Sequence, residues 1–213
     1  MELSDILVVE DDEKNIKDAK EVLGEIQIAR SFAEFEDKFT KEKPKYVLSD
    51  LYFPTGYIGE RHEKLKSEAA SILDSYIKEQ QKHNAVGRAL ETIFAAKEIK
   101  TLDQFFEIFK DDSLIQMEKW RNILRERYYE YEKVRNYKQL LKDINDNVHD
   151  LPSGIFVYKH CKNENFPCMI VTSAYHHGTE FQPFVENVGS FFDNLVNGKK
   201  QWKEALEYIS GEK

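Results

Sequence analysis

Residues 5–12 run DILVVEDD: four apolar residues, Ile6 to Val9, followed at once by three carboxylates. A continuous apolar run with no polar alternation is the pattern of a strand buried on both faces of a parallel sheet. The acids then mark the carboxyl end of that strand. Outward along the chain, EKNIKDAKEVLG places Ile16, Ala19, Val22 and Leu23 at helical spacing, with Gly24 as a stop. IQIARS is a short second strand and FAEFEDKFTKE a second amphipathic helix through Phe32, Phe35 and Phe39. Pro44 then punctuates the chain before a third strand, KYVLSDLYF, which ends at Asp50.

The pattern changes from about Thr55 to Pro152. β-Branched runs disappear, and apolar residues recur at three and four among charges, so this stretch is expected to be helical throughout. Ile72, Leu73, Tyr76 and Ile77 share one face. Val86, Ala89, Leu90, Ile93 and Phe94 continue it, with a break expected at Gly87. Thr101 to Lys110 is a short helix carrying Phe105, Phe106 and Phe109, and Ser113 is the expected cap of a long helix striped by Leu114, Met117, Trp120, Tyr128, Val134, Tyr137 and Leu141. Such helices pack as an antiparallel hairpin or small bundle.

After Pro152 the α/β pattern returns. GIFVYKHCKNEN is expected as a helix, FPCMIVTSA as a strand, VGSFF as a fifth strand and KKQWKEALEYI as a closing helix. The division is therefore a discontinuous α/β domain, 1–54 plus 152–213, with a helical subdomain inserted at 55–151. Composition narrows the function classes. With 31 basic and 39 acidic residues the formal charge is −8, against a protein whose whole surface is a nucleic-acid footprint. No apolar run reaches the length of a membrane span, and the acidic N-terminal segment lacks the bases of a targeting peptide, so membrane insertion is not expected and the location is expected to be cytoplasmic. Cys161 and Cys168, without metal-ligand companions, are expected as reduced thiols in or near a core.

In an open parallel sheet, ligands sit beyond the carboxyl ends of the strands. Glu10 and Asp11 follow strand one, Asp50 ends strand three, and Thr172 and Ser173 end strand four. Carboxylates gathered from separate strands repel one another, and their natural resident is a hard divalent cation, Mg²⁺ first, beside a hydroxyl able to hydrogen-bond a phosphoryl oxygen.

The ordered series ILVVEDD, YVLSDLYFP, Gly154 at a helix start and PCMIVTSA resembles the receiver domain of two-component response regulators. The resemblance implies a flavodoxin-like five-stranded parallel sheet of order 2-1-3-4-5, helices on both faces and the helical insertion after strand three. It implies that Glu10, Asp11 and Asp50 hold Mg²⁺, that Asp50 accepts a phosphoryl group, and that Thr172 is the hydroxyl that answers it. A sensor histidine kinase or phosphotransfer protein would then be the donor, and the insertion would contact a further protein partner. The chain departs from that family at the lysine after strand five: counting from Gly189 puts Asp193 there, and Ser190 at the aromatic switch position. A register in which Lys199 or Lys200 reaches back is open, since loops tolerate such shifts. An Asp at the lysine position would make phosphorylation slow.

Two rival functions stay open: a pseudo-receiver that acts only through protein contacts, and a Mg²⁺-dependent phosphohydrolase using Asp50 as nucleophile. The latter lacks an evident second acid at DxD spacing. His176 and His177 are read as solvated loop residues. The run WRNILRERYYEYEKVRNYKQLLK interleaves Glu with Arg and Tyr, which favours an ion-paired solvent face over a nucleic-acid surface. No P-loop, GxGxxG, HExxH or nucleophile elbow is present.

Overall fold

Four strands of the main sheet are as short as the apolar runs that encode them: β1 (Ile6–Val9), β2 (Gln27–Ala29), β3 (Tyr46–Ser49) and β4 (Cys168–Val171), joined by a two-residue β5 (Phe191–Phe192). In the computed structural model, which describes residues 5–148, 150–172, 182–185, 188, 191–192, 195–196 and 198–211, these strands form a parallel sheet of order β2-β1-β3-β4-β5. The protein therefore has the expected flavodoxin-like α/β order, with the helical insertion after strand three.

Successive side chains of a strand point to opposite faces, so each apolar run supplies two cores. Leu7, Val9 and Val47 pack with Phe32 and Phe35 of α2 (Phe32–Glu42) and with Phe156, Val157 and Cys161 of α8 (Gly154–Asn163). Ile6, Val8, Leu48, Met169 and Val171 face the other way, onto Ala19 of α1 (Glu13–Leu23) and onto Trp202 and Ala205 of α10 (Trp202–Ser210). Helix starts are set by local chemistry. Asp12 caps α1 by accepting from the Asn15 N–H at 3.0 Å, and Ser31 caps α2 by accepting from Glu34 N–H at 3.2 Å.

The middle of the chain is a series of helices, as expected, but their boundaries differ from the expected ones. Residues 50–59 are irregular, and the helices are α3 (Glu60–His83), α4 (Ala85–Ala96), α5 (Leu102–Ile108), the single turn α6 (Ser113–Gln116) and α7 (Glu118–Asn145). The first break falls at Asn84 rather than at Gly87: the Asn84 carboxamide accepts from the Gly87 N–H at 2.7 Å and starts a new helix. Gly87 is needed for that cap, because a Cβ there would meet the Asn84 side chain at 2.4 Å. Asp112, not Ser113, is the cap at the next boundary, accepting from Leu114 N–H at 2.8 Å, and the helix breaks again at Met117.

The chain divides into two compact units. One comprises Met1–Ile72 and Lys142–Lys213 and holds the sheet; the other is Leu73–Leu141. Residues 55–72 and 142–151 thus group with the sheet, and Leu65 and Ala69 of α3 pack in the core on the α2 and α8 face. The helical unit has its own core of Leu90, Phe94, Ile99, Phe105 and Phe106, against which Leu124 and Tyr128 pack. On α7 the acids and bases of the aromatic run pair with each other, as in Lys133–Glu130 and Arg135–Glu132, both at 3.4 Å. Among the described residues no helix is long and apolar enough to cross a membrane.

One turn of helix, α9 (Gln182–Val185), lies between β4 and β5, and at the C-terminal end Lys199 and Lys200 do not open the last helix. They form β7 (Lys199–Lys200), paired antiparallel with β6 (Leu195–Val196), and α10 begins two residues later.

Candidate functional site

Three residues extend the hydrogen-bonded ladder one step past the strand ends. Glu10 N–H donates to Ala29 O at 2.9 Å, Asp50 N–H to Val9 O at 2.9 Å, and Thr172 N–H to Phe192 O at 2.8 Å. The parallel register thereby places the side chains of Glu10, Asp50 and Thr172 at the carboxyl ends of three successive strands, β1, β3 and β4.

The loop after Asp50 is held by backbone contacts. The first N–H groups of α2 are taken by this loop, Phe32 donating to Pro54 O and Ala33 to Thr55 O. Gly56, at φ +71°, lies so close to α2 that a Cβ would sit 2.6 Å from Ser31 Oγ. The chain returns from the insertion at Gly154, whose N–H donates to Leu51 O at 2.9 Å and whose Cα faces the Asp50 carbonyl. A Cβ at Gly154 would be 2.2 Å from that oxygen, so either the Asp50 backbone or the start of α8 would have to shift. Gly154→Ala is expected to lower unfolding stability by roughly 2–3 kcal/mol, the usual cost of overpacking a tight site, as measured by urea denaturation. A loss within experimental error would show that the α8 start can shift.

The centre of the site is an ammonium between two carboxylates. Lys200 Nζ is 2.6 Å from Glu10 Oε2 and 2.9 Å from Asp50 Oδ1. The side chains of Lys200 and Glu10 are each 1% exposed and that of Asp50 is 14% exposed. Lys200 also lies over the Trp202 ring, 5.4 Å from its centroid. Its contact with Asp50 is an ion pair approached off the hydrogen-bonding direction, so Asp50 Oδ1 is buried without an aligned donor. Glu10 has no such deficit: Oε2 takes Lys200 and Oε1 accepts from Asp12 N–H at 3.1 Å.

One cation does not balance two buried acids. Burial, followed by repulsion from Asp50, pushes the Glu10 carboxyl up to about 7, with Lys200 and the Asp12 N–H pulling the other way. For Lys200, burial opposes the charge, but attraction to Asp50 and Glu10 outweighs it and the pKa rises. Asp11 beside them is raised by burial, and Asp150 and Asp50 add to the rise against a hydrogen bond from its own backbone. Asp150 comes from the segment returning from the insertion, so that segment contributes a negative charge near the strand ends.

Sequence reasoning placed Glu10, Asp11, Asp50 and Thr172 at the strand ends, and the structure brings Glu10 and Asp50 onto one ammonium, with Thr172 buried one strand over. Counting from Gly189 puts Asp193 at the lysine position and leaves a register through Lys199 or Lys200 open; in the structure it is Lys200 that pairs with Asp50. Asp193, Ser190, Ser173, His176 and His177 lie outside the described residues. The sequence signal that favours the Lys200 register is Asn197-Gly198, a dipeptide typical of tight hairpins, between LV and KK. It shows that a β-hairpin separates β5 from the lysine.

Among the described residues, no group of three or more His, Cys, Asp or Glu side chains is arranged to hold a metal ion. With both Glu10 oxygens engaged, the carboxylates that retain uncommitted oxygens at the strand ends are those of Asp11 and Asp50. Two such ligands suit a strongly hydrated ion better than a dehydrated one. Comparison of the chain with family models, with curated proteins and with solved structures gives no match.

Proposed function

We propose that this chain is a phosphoryl-accepting signalling module in which Asp50 is the acceptor. The observation that carries the reading is the Lys200 ammonium, buried and shared by Glu10 and Asp50 at the carboxyl ends of a 2-1-3-4-5 sheet. A buried ammonium at the acceptor is poised to follow negative charge from the carboxylate to a newly attached phosphoryl group. Fixed charges aimed at developing charge cost no reorganisation during reaction.

In the proposed reaction, an Asp50 carboxylate oxygen attacks the phosphorus of a phosphohistidine or a small acyl phosphate. The new O–P bond forms as the bond to the imidazole nitrogen or acyl oxygen breaks, and the leaving group departs with the electron pair. Lys200 is already within ion-pair distance of the acceptor and would bind a phosphoryl oxygen. Thr172, at the end of the neighbouring strand, would donate its hydroxyl to another. Asp11 and Asp50 would hold Mg²⁺ through the oxygens that Lys200 does not occupy, and the bound ion would supply neutralisation of charge on the transferring group. Glu10, both oxygens engaged, would position Lys200 rather than bind the ion directly. A sensor kinase or phosphotransfer protein is the proposed donor, and the helical unit Leu73–Leu141 the proposed contact for a protein partner.

Incubation with acetyl phosphate and Mg²⁺ tests this. Wild type should form an acyl phosphate that borohydride reduction traps at Asp50, and Asp50→Asn should form none. Absence of an adduct in wild type would favour a module that works by contacts alone. Steady turnover of phosphate esters, lost in Asp50→Asn, would favour a phosphohydrolase.

A further inference from the structure

We infer that Lys199 is a positioning residue that clamps the β6–β7 hairpin to α1 and so holds Lys200 in the site. Adjacent residues of a strand point to opposite faces. In β7 this alternation sends Lys200 inward to Glu10 and Asp50 and Lys199 outward to α1, where its Nζ is 3.0 Å from Asp18 Oδ1 and 2.9 Å from Glu21 Oε2.

The need for a clamp follows from the size of the hairpin. Each strand has two residues, paired Leu195 with Lys200 and Val196 with Lys199. An isolated hairpin of two strands is at best marginally stable in water. This one closes at Gly198, φ +74°, with open space where a Cβ would be, and Val196 is 53% exposed. Little apolar burial at the turn end therefore fixes the position of β7. The ion pairs to α1 supply that fixation at the residue next to Lys200.

Asp18 is suited to the task. It is a buried acid, 7% exposed, in the middle of a helix whose neighbours Ile16 and Ala19 are core residues. Its Oδ1 has Lys199, whereas its Oδ2 is buried without a hydrogen-bond partner. A carboxylate so placed depends on a cation for its burial. Glu21, one turn on, adds a second oxygen to the same ammonium. Helix α1 itself starts at Glu13, three residues after Glu10. One short stretch of chain, from the end of β1 into α1, thus carries both the acid that receives Lys200 and the acids that hold Lys199.

The effect on chemistry rests on the phosphoryl-acceptor reading; the clamp itself does not. The test is acetylation of the intact, metal-free chain with an amine-reactive ester, with each lysine followed by peptide mass spectrometry. In wild type Lys200 should be among the slowest lysines to react. Lys199→Ala should raise Lys200 labelling at least about fivefold, because weakening a local ion pair raises the open population in proportion. Lys199→Arg should restore protection, and exposed Lys78 should react alike throughout. Should Lys199→Ala fold poorly, Asp18→Asn combined with Glu21→Gln removes the same contacts from the other side and should expose Lys200 equally. Unchanged protection of Lys200 in folded variants overturns the clamp, whatever Asp50 does. If Lys200 is released as expected while neither wild type nor variant is phosphorylated at Asp50, the clamp stands and the acceptor reading fails. If Asp50 is phosphorylated in wild type, its adduct should form more slowly in Lys199→Ala and recover in Lys199→Arg.

Discussion

Lys200→Met is expected to destabilise the protein by roughly 3–5 kcal/mol at pH 8, the usual cost of stripping one partner from a buried ion pair. The size comes from what remains. Glu10 would keep a side chain 1% exposed, with Asp50 close by and no cation between them. Restoring water would require the carboxyl ends of β1 and β3 to separate, which their mutual pairing opposes. The cheaper response is for Glu10 to keep its proton to higher pH. The penalty should therefore shrink at pH 5, where Glu10 is already neutral in wild type and the loss is confined to the ion pair with Asp50 and a hydrogen bond to an uncharged Glu10. Adding Glu10→Gln should recover much of the loss at pH 8, because it removes the stranded charge and leaves an amide of the same shape. Urea denaturation of the two single variants and the double variant gives the coupling directly. A loss below about 1 kcal/mol at pH 8 for Lys200→Met would mean that the pair is not isolated from water as its burial implies.

Much of this site was legible because it is written in consecutive residues. The run from Ile6 to Val9 fixes a buried strand, and the next residue, Glu10, falls at its carboxyl end without further geometry. The same holds for Asp50 after Ser49 and for Thr172 after Val171. The strand order comes from the resemblance to receiver domains rather than from the runs themselves, and the sheet has that order.

Counting could not choose between Asp193 and the alternative register through Lys199 or Lys200, because it assumes that the chain leaves β5 directly for the site. A hairpin of short strands carries little hydrophobic periodicity, and its only strong mark is Asn197-Gly198. The pairing of Lys200 with residues 190 and 150 positions earlier in the chain is a tertiary event that no local pattern encodes. The break at Asn84 shows the same limit at smaller scale. Helical spacing runs straight through it, and the competing signal is one side chain able to cap the Gly87 N–H.

On the proposed acceptor reading, the Lys200 ammonium would attract an incoming phosphoryl group, but it is already shared by two carboxylates, so that group would compete with Glu10 for it. Protonation of Glu10 relaxes that competition, which makes the ionisation of Glu10 the property of the site most open to measurement.

In metal-free solution the protein should become less stable as the pH rises from about 5 to about 8, with Glu10 as the principal cause. Its carboxyl titrates near 4.5 when exposed and at about 7 in the folded protein, burial being the first reason and Asp50 the second. Between those values the folded state carries a proton that the unfolded state lacks, so stability falls with rising pH, and above 7 the slope vanishes. A shift of this size is worth on the order of 3 kcal/mol across the window. Asp11, also raised, contributes with the same sign beginning lower on the scale. Lys200 does not enter: its pKa is raised, so its stabilising contribution is complete below about 10.5 and is lost only at higher pH. Glu13 and Glu107 are lowered by Arg30 and Lys110, and their contributions are present above about 4.5 and lost as the pH falls through the acid range, outside the window. Urea denaturation in EDTA at half-unit steps should show the decline in wild type and a nearly flat profile in Glu10→Gln, where the amide still accepts from Lys200. Equal slopes in the two proteins would move the proton to another group and leave Glu10 ionised beside Lys200 throughout.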